Sequence, residues 1–112
     1  MPANKHLESL LSNVNIPLAH RRFKAYKNKP LPDPPYMIYV TDESFRGGDD
    51  EIFYKQVDVI LELYTQLPSP ALELLIETAI SEYEFEKSED ELEKESLYVV
   101  TYEFTFYEKL RR

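Results

Sequence analysis

A chain of 112 residues with no cysteine and a formal charge of −8 excludes a disulfide scaffold, a thiolate nucleophile and a cysteine-based zinc site. An apolar content of 43%, including nine tyrosines and six phenylalanines, supplies one modest core, argues against wholesale disorder and fits a single domain over residues 1–112. The charge is uneven: residues 1–30 hold six Lys or Arg against one Glu, and residues 31–112 hold seven against twenty acids, so the two parts carry +5 and −13.

An acidic total speaks against a general nucleic-acid binder, which needs a basic face for phosphate contact. Ends of opposite sign instead suit subunits that meet head to tail. The plainer reading is solvated charge unevenly spread along the chain. The leading "MPANKHLESLLSNVN" is too polar for a signal peptide and no apolar run approaches membrane-spanning length. The expectation is a soluble protein made in the cytoplasm, with no membrane partner.

Residues 3–14 predict a short amphipathic helix, because Leu7, Leu10, Leu11 and Val14 fall at i, i+3, i+4 and i+7. Asn13 and Asn15 are poor helix formers and Pro17 cannot continue it. "IPLAHRRF" reads as a strand and "KNKPLPDPPY" as an extended connector, since each proline fixes φ and removes a donor. "YMIYV" (36–40) is a compact β-type run.

Residues 52–64 alternate with period two. Phe53, Val57, Val59, Leu61 and Leu63 share one face, while Tyr54, Gln56, Asp58, Glu62 and Tyr64 occupy the other together with the exception, Ile60. Between these strands lies "TDESFRGGDDE" (41–51), which contains both glycines of the chain. It reads as a hairpin loop, because adjacent glycines allow the positive φ of a reversal. A calcium loop needs oxygen ligands at alternate positions before its glycine, and a phosphate loop needs a lysine and a following helix; neither pattern is present.

"LPSPALELLIETAISEY" predicts a second helix with Ser69 as N-cap and Pro70 at the first helical position. Its buried stripe is Leu72, Leu75, Ile76, Ala79, Ile80 and Tyr83. "YEFEK" reads as a short strand, "SEDELEKE" as a solvated acidic connection, and "LYVVTYEFTFY" as a closing strand. In that strand Tyr98, Val100, Tyr102, Phe104 and Phe106 lie opposite Val99, Thr101, Glu103 and Thr105. The order of elements predicts an α+β fold: an antiparallel-rich sheet of four to five strands with two helices packed on one face.

No catalytic group emerges from this inventory. His6 and His20 lack metal-ligand spacing and read as surface polar residues. Glu82, Glu84 and Glu86 would project to one side of a strand, a pattern that suits a divalent ion but is more simply a wet face. "HRRFKAYKNK" interleaves basic and aromatic residues as single-strand binders do, but it is short and attached to an acidic body. With no nucleophile–base pair and no phosphate cradle, the expectation is a protein without catalytic residues, cofactor or metal.

Taken in order, "IPLAH", "PPYMIYV", the acidic Gly/Asp-bearing loop, "ELYT", "ALELLIETAI" and "LYVVTYEF" make the chain resemble the tail-completion, or tail-terminator, proteins of tailed phages and prophages of Gram-positive bacteria. "SFRGG" departs from the usual hairpin of that family. The resemblance implies an α+β subunit that forms a ring, usually of six copies, on the head-proximal end of the tail tube. Such a ring stops tail polymerisation and docks onto the head connector. The implied partners are therefore the chain itself, the major tail tube protein and the head–tail connector protein, with DNA only in passage through the channel. The implied location is the bacterial cytoplasm during assembly and the head–tail junction of the virion.

A ring needs one patch to meet a different patch on the neighbour. The expected contact sets Arg21, Arg22, Lys24 and Lys27 against Glu84, Glu86 and Glu89. The acidic majority would line or border the channel, where repulsion keeps DNA from adhering. The competing functions are another head-completion or connector-adaptor protein of the same neck, and a small acidic inhibitor that mimics DNA.

Overall fold

The alternating stretch around Ile60 becomes the middle of the architecture. The computed structural model describes residues 3–23, 31–47 and 52–111. Its elements are α1 (Ala3–Leu10), β1 (Leu18–His20), β2 (Tyr36–Gly47), β3 (Ile52–Thr65), α2 (Pro70–Ala79), β4 (Phe85–Leu92), a 3-10 turn at Glu93–Glu95, and β5 (Leu97–Arg111). The five strands form one sheet in the order β1-β2-β3-β5-β4. β2, β3, β5 and β4 pair antiparallel, and β1 runs parallel to β2. The sheet is therefore mixed. A parallel neighbour needs a connection of a dozen or more residues, and residues 21–35, prolines included, provide it.

The register dictates the core. Val57, Val59, Leu61 and Leu63 stand opposite Phe106, Phe104, Tyr102 and Val100 of β5, and Leu61 and Leu63 stand opposite Tyr39 and Met37 of β2. Directly paired residues share a face. All of these side chains are buried in one cluster with Leu7, Leu11 and Val14 from the amino-terminal segment and with Ile76 and Ile80 from α2. The side chain of Phe53, expected on the same face, lies outside the described set.

Several boundaries differ from the sequence expectation. α1 stops at Leu10, and the chain tightens through turns in which Leu11 N–H donates to Leu7 O and Val14 N–H to Leu11 O (both 3.0 Å); the apolar stripe outlasts the regular helix. β1 spans three residues, because Arg21 enters the left-handed region at φ 72° and turns the chain away. α2 begins as expected: the Ser69 hydroxyl accepts from Leu72 N–H at 3.4 Å and Pro70 occupies the first turn. Leu75, however, is 44% exposed, and Glu73 takes an interior place beside Ile76.

The reversal expected over residues 41–51 is narrower. Thr41–Gly47 continue β2, paired residue by residue with β3 down to Gly47 and Phe53, and residues 48–51 lie outside the described set. Asp42–Gly47 run past the core and are exposed, so their pairing requires no apolar alternation. Gly47, at φ 108°, supplies the left-handed residue at the end of the ladder. "SEDEL" is likewise strand and not connection: β4 reaches Leu92, and the actual link is the turn at Glu93–Glu95 closed by Ser96 at φ 54°. A charged row serves an edge strand because it discourages pairing with stray chains.

Truncating Leu61 to alanine should lower the unfolding free energy by about 2–5 kcal/mol. Leu75→Ala should change it by less than about 0.5 kcal/mol. Urea titration of both variants followed by circular dichroism checks the contrast, and equal losses would contradict this placement of the core.

Candidate functional site

The two outer strands differ in charge. Beside β1, Arg21 N–H donates to Tyr39 O at 2.8 Å and Arg22 N–H to His20 O at 2.9 Å, which leaves both guanidinium groups at the surface. The ring of His20 stacks on Tyr39 with centroids 4.9 Å apart. Phe23 meets Tyr36 edge-on at 5.4 Å, and Tyr36 stacks on Tyr64 at 5.1 Å. Burial under this aromatic group, aided by the neighbouring Glu62 carboxylate, pushes the Tyr64 phenol up to about 12.

At the other edge, Glu86, Glu89, Asp90 and Glu91 of β4 are exposed, and Lys87 points back toward α2. Its Nζ lies 2.7 Å from Glu73 Oε1 and 2.9 Å from Glu77 Oε2. The Tyr102 hydroxyl donates to the same Glu77 oxygen at 2.8 Å. The buried Glu73 is thereby neutralised, as a carboxylate inside a protein must be. The bonds to Glu73 and Glu77 raise the Lys87 ammonium above its ordinary value, and the bond from Lys87 holds the Glu77 carboxyl below its own. This latch fastens α2 to the edge strand.

The sheet face away from the buried cluster forms a hollow of about 780 Å³. Asp42, Asp58, Glu84, Glu86 and Glu103 border it, Val40 and Ile60 form an apolar strip within it, and among the described residues no Lys or Arg lines it. Two pairs of carboxylates stand directly opposite across neighbouring strands: Asp42 with Asp58, and Glu86 with Glu103. Each like-charged pair costs about 0.2–1 kcal/mol relative to a neutral one. Asp58 is partly relieved. It accepts from Thr105 Oγ1 at 2.6 Å and from Gln56 Nε2 at 3.1 Å, and these bonds, the Thr105 one foremost, lower its carboxyl below the usual range. Gln56 in turn accepts from Arg46 Nε at 2.7 Å, which directs that cation along the hairpin.

The residues singled out in the sequence are distributed as follows. Arg21 and Arg22 lie together at the β1 edge, whereas Lys24 and Lys27 lie outside the described residues. Glu84 and Glu86 border the hollow, but Glu89 pairs with Val100 and therefore belongs to the face that carries the core, so the expected acidic trio is divided between the two sides of the sheet. Of the row Glu82, Glu84 and Glu86, the last two reach the hollow and Glu82 does not line it. The histidines are half-buried, contrary to their reading as surface residues. Nε2 of His6 shares a 3.0 Å hydrogen bond with the Tyr83 hydroxyl and its ring tilts against Phe106 at 4.7 Å, which ties α1 to the core. Among the described residues no three His, Asp or Glu side chains are grouped to hold a metal ion. Likewise, no helix among them is long and apolar enough to cross a membrane.

Asp42, Asp58 and Glu103 were not foreseen as neighbours. The available clue was Ile60, the apolar exception on a polar face, which is 40% exposed at the centre of the sheet. No family model matches this chain, and no curated protein matches it.

Replacing Lys87 with methionine should lower stability by about 1–3 kcal/mol at pH 7, because two partly buried carboxylates lose their cation. The Glu77 carboxyl is depressed in the fold, so its contribution is complete above its ordinary value of 4.5 and is lost as pH falls through the folded value. The gap between variant and wild type, measured by urea unfolding across pH, should therefore narrow below pH 4.5. A gap that does not change on acidification would refute the latch.

Proposed function

We propose that this chain is a structural virion-assembly subunit, a tail terminator that forms a ring at the head-proximal end of a tail tube and docks it to the head connector. The observation that carries the reading is the opposition of charge across one level of the sheet. Arg21 is bonded to the backbone of Tyr39, next to Val40, and Val40 is followed across the strands by Ile60, Glu103 and Glu86. One end of this row is cationic and the other anionic, so a neighbour displaced sideways meets the opposite sign. Such a contact is heterologous, and heterologous contacts close into rings when the rotation between subunits allows.

In this reading both helices cover one face of the sheet and leave the other for contact. The cluster shared by Leu7, Leu11, Ile76 and Ile80 with the sheet residues supports that division. The chain acts by its surfaces and carries no catalytic group. The self-associated ring, the tail tube protein and the connector are its partners, and the acidic remainder borders a channel through which DNA passes without adhering. A competing role, as a small acidic protein that mimics DNA, draws on the five carboxylates of the hollow. It leaves the arginine edge unused, and we rank it second.

Native mass spectrometry with and without the tail tube protein tests the assignment. The wild type should appear as a closed multiple of 13.3 kDa on the tube end in the absence of any head protein. Arg21→Glu combined with Arg22→Glu should reduce it to single chains of unchanged circular dichroism. A protein that ignores tubes but binds heads would instead be a head-completion protein, and displacement of duplex DNA from a DNA-binding enzyme would favour the mimic.

A further inference from the structure

The open sheet face has three features that remain unexplained in an isolated subunit. It sets carboxylate against carboxylate at Glu86–Glu103. It leaves Ile60, on the central strand, 40% exposed beside Val40. And it is concave, with no Lys or Arg in its lining among the described residues.

We infer that this face is the seat for the Arg21–Arg22 corner of a second copy of the chain. The inference rests on the head-to-tail reading above and adds the receptor: successive subunits overlap, with the basic edge of one lying over the open face of the next.

Charge complementarity and distance both favour this occupant. Adjacent strands lie about 4.8 Å apart, so β1 is about 14 Å from β5 and about 19 Å from β4 within one subunit. The arginines beside β1 therefore do not reach Glu103 or Glu86 of their own chain. A neighbour's arginines face no such limit. A guanidinium is planar, weakly hydrated and able to bind carboxylates in bidentate fashion. One of the two arginines can lie flat on Ile60 while its donors reach Glu103, and the other can meet Glu86, so that together they relieve the opposed pair and cover the exposed isoleucine. Lysine would satisfy the charge but not the apolar floor. Glu89 takes no part, since its register places it on the other face. The contact thus differs from a simple abutment of edges, in which Glu89 would be as available as Glu86.

The absence of cysteine allows a direct test. Arg22→Cys and Glu103→Cys are made as separate chains, both at exposed positions. They are mixed with the tail tube protein and oxidised, then separated without reductant. A disulfide-linked pair of twice 13.3 kDa should form in the mixture and be at least tenfold less abundant with either variant alone. Glu89→Cys in place of Glu103→Cys should give no comparable product. In parallel, Arg22→Glu and Glu103→Arg should each dissociate the assembly, and the chain carrying both should recover it.

A link to Glu89→Cys but not to Glu103→Cys would overturn the seat and leave head-to-tail assembly standing. So would intact assembly in Glu103→Arg. Wild-type protein that stays monomeric with the tail tube protein present would remove the assembly reading itself.

Discussion

The antiparallel ladder between β3 and β5 is the constraint on which the other features depend. Across its length the pairing runs unbroken from Ile52–Arg111 to Thr65–Tyr98. Because side chains alternate strictly between faces, burying Val57, Val59, Leu61 and Leu63 also assigns Asp58, Ile60 and Glu62 to the opposite side. A slip of one residue would exchange the two sets and place the carboxylates of Asp58 and Glu62 in the core. The register is therefore protected by the cost of burying charge, not by hydrogen bonding alone. β2 inherits the same assignment through Leu61–Tyr39 and Leu63–Met37, and β4 through Tyr102–Lys87 and Phe104–Phe85.

The same constraint explains why Lys87, on a charged edge strand, lies on the face that carries the core. Its partner in register is the buried Tyr102, so its stem must cross the apolar side, and it can do so because Glu73 and Glu77 meet its ammonium there. A cation aimed inward at a sheet edge also deters further pairing. The exposed carboxylates of β4 serve the same end in isolation.

The hairpin formed by the distal parts of β2 and β3 extends beyond the core and exposes Phe45, 71% accessible. Its stability is borrowed from β5, which continues alongside β3 to the end of the ladder, and from ion pairs such as Lys55 with Glu108 at 2.9 Å. The molecule consequently reaches 51 Å in its longest direction. Length of this kind offers surface well away from the core.

By itself the sequence determined the α+β class, the position of α2 with its Ser69 cap, the buried faces of β3 and β5, and the unlike charges of the two ends. These follow from local periodicity, capping chemistry and composition, which need no knowledge of neighbours. Where burial stops, the signal stops: Thr41–Gly47 and Ser88–Leu92 are strands without alternation, because exposed ladders are held by backbone bonds that leave no trace in side-chain polarity. Only the tertiary structure decided that β1 lies parallel to β2, that Asp42 meets Asp58 and Glu86 meets Glu103, and that Glu89 stands apart from both. Each of these depends on which strands become neighbours and in what register, a matter settled by packing residues far apart in the chain against one another.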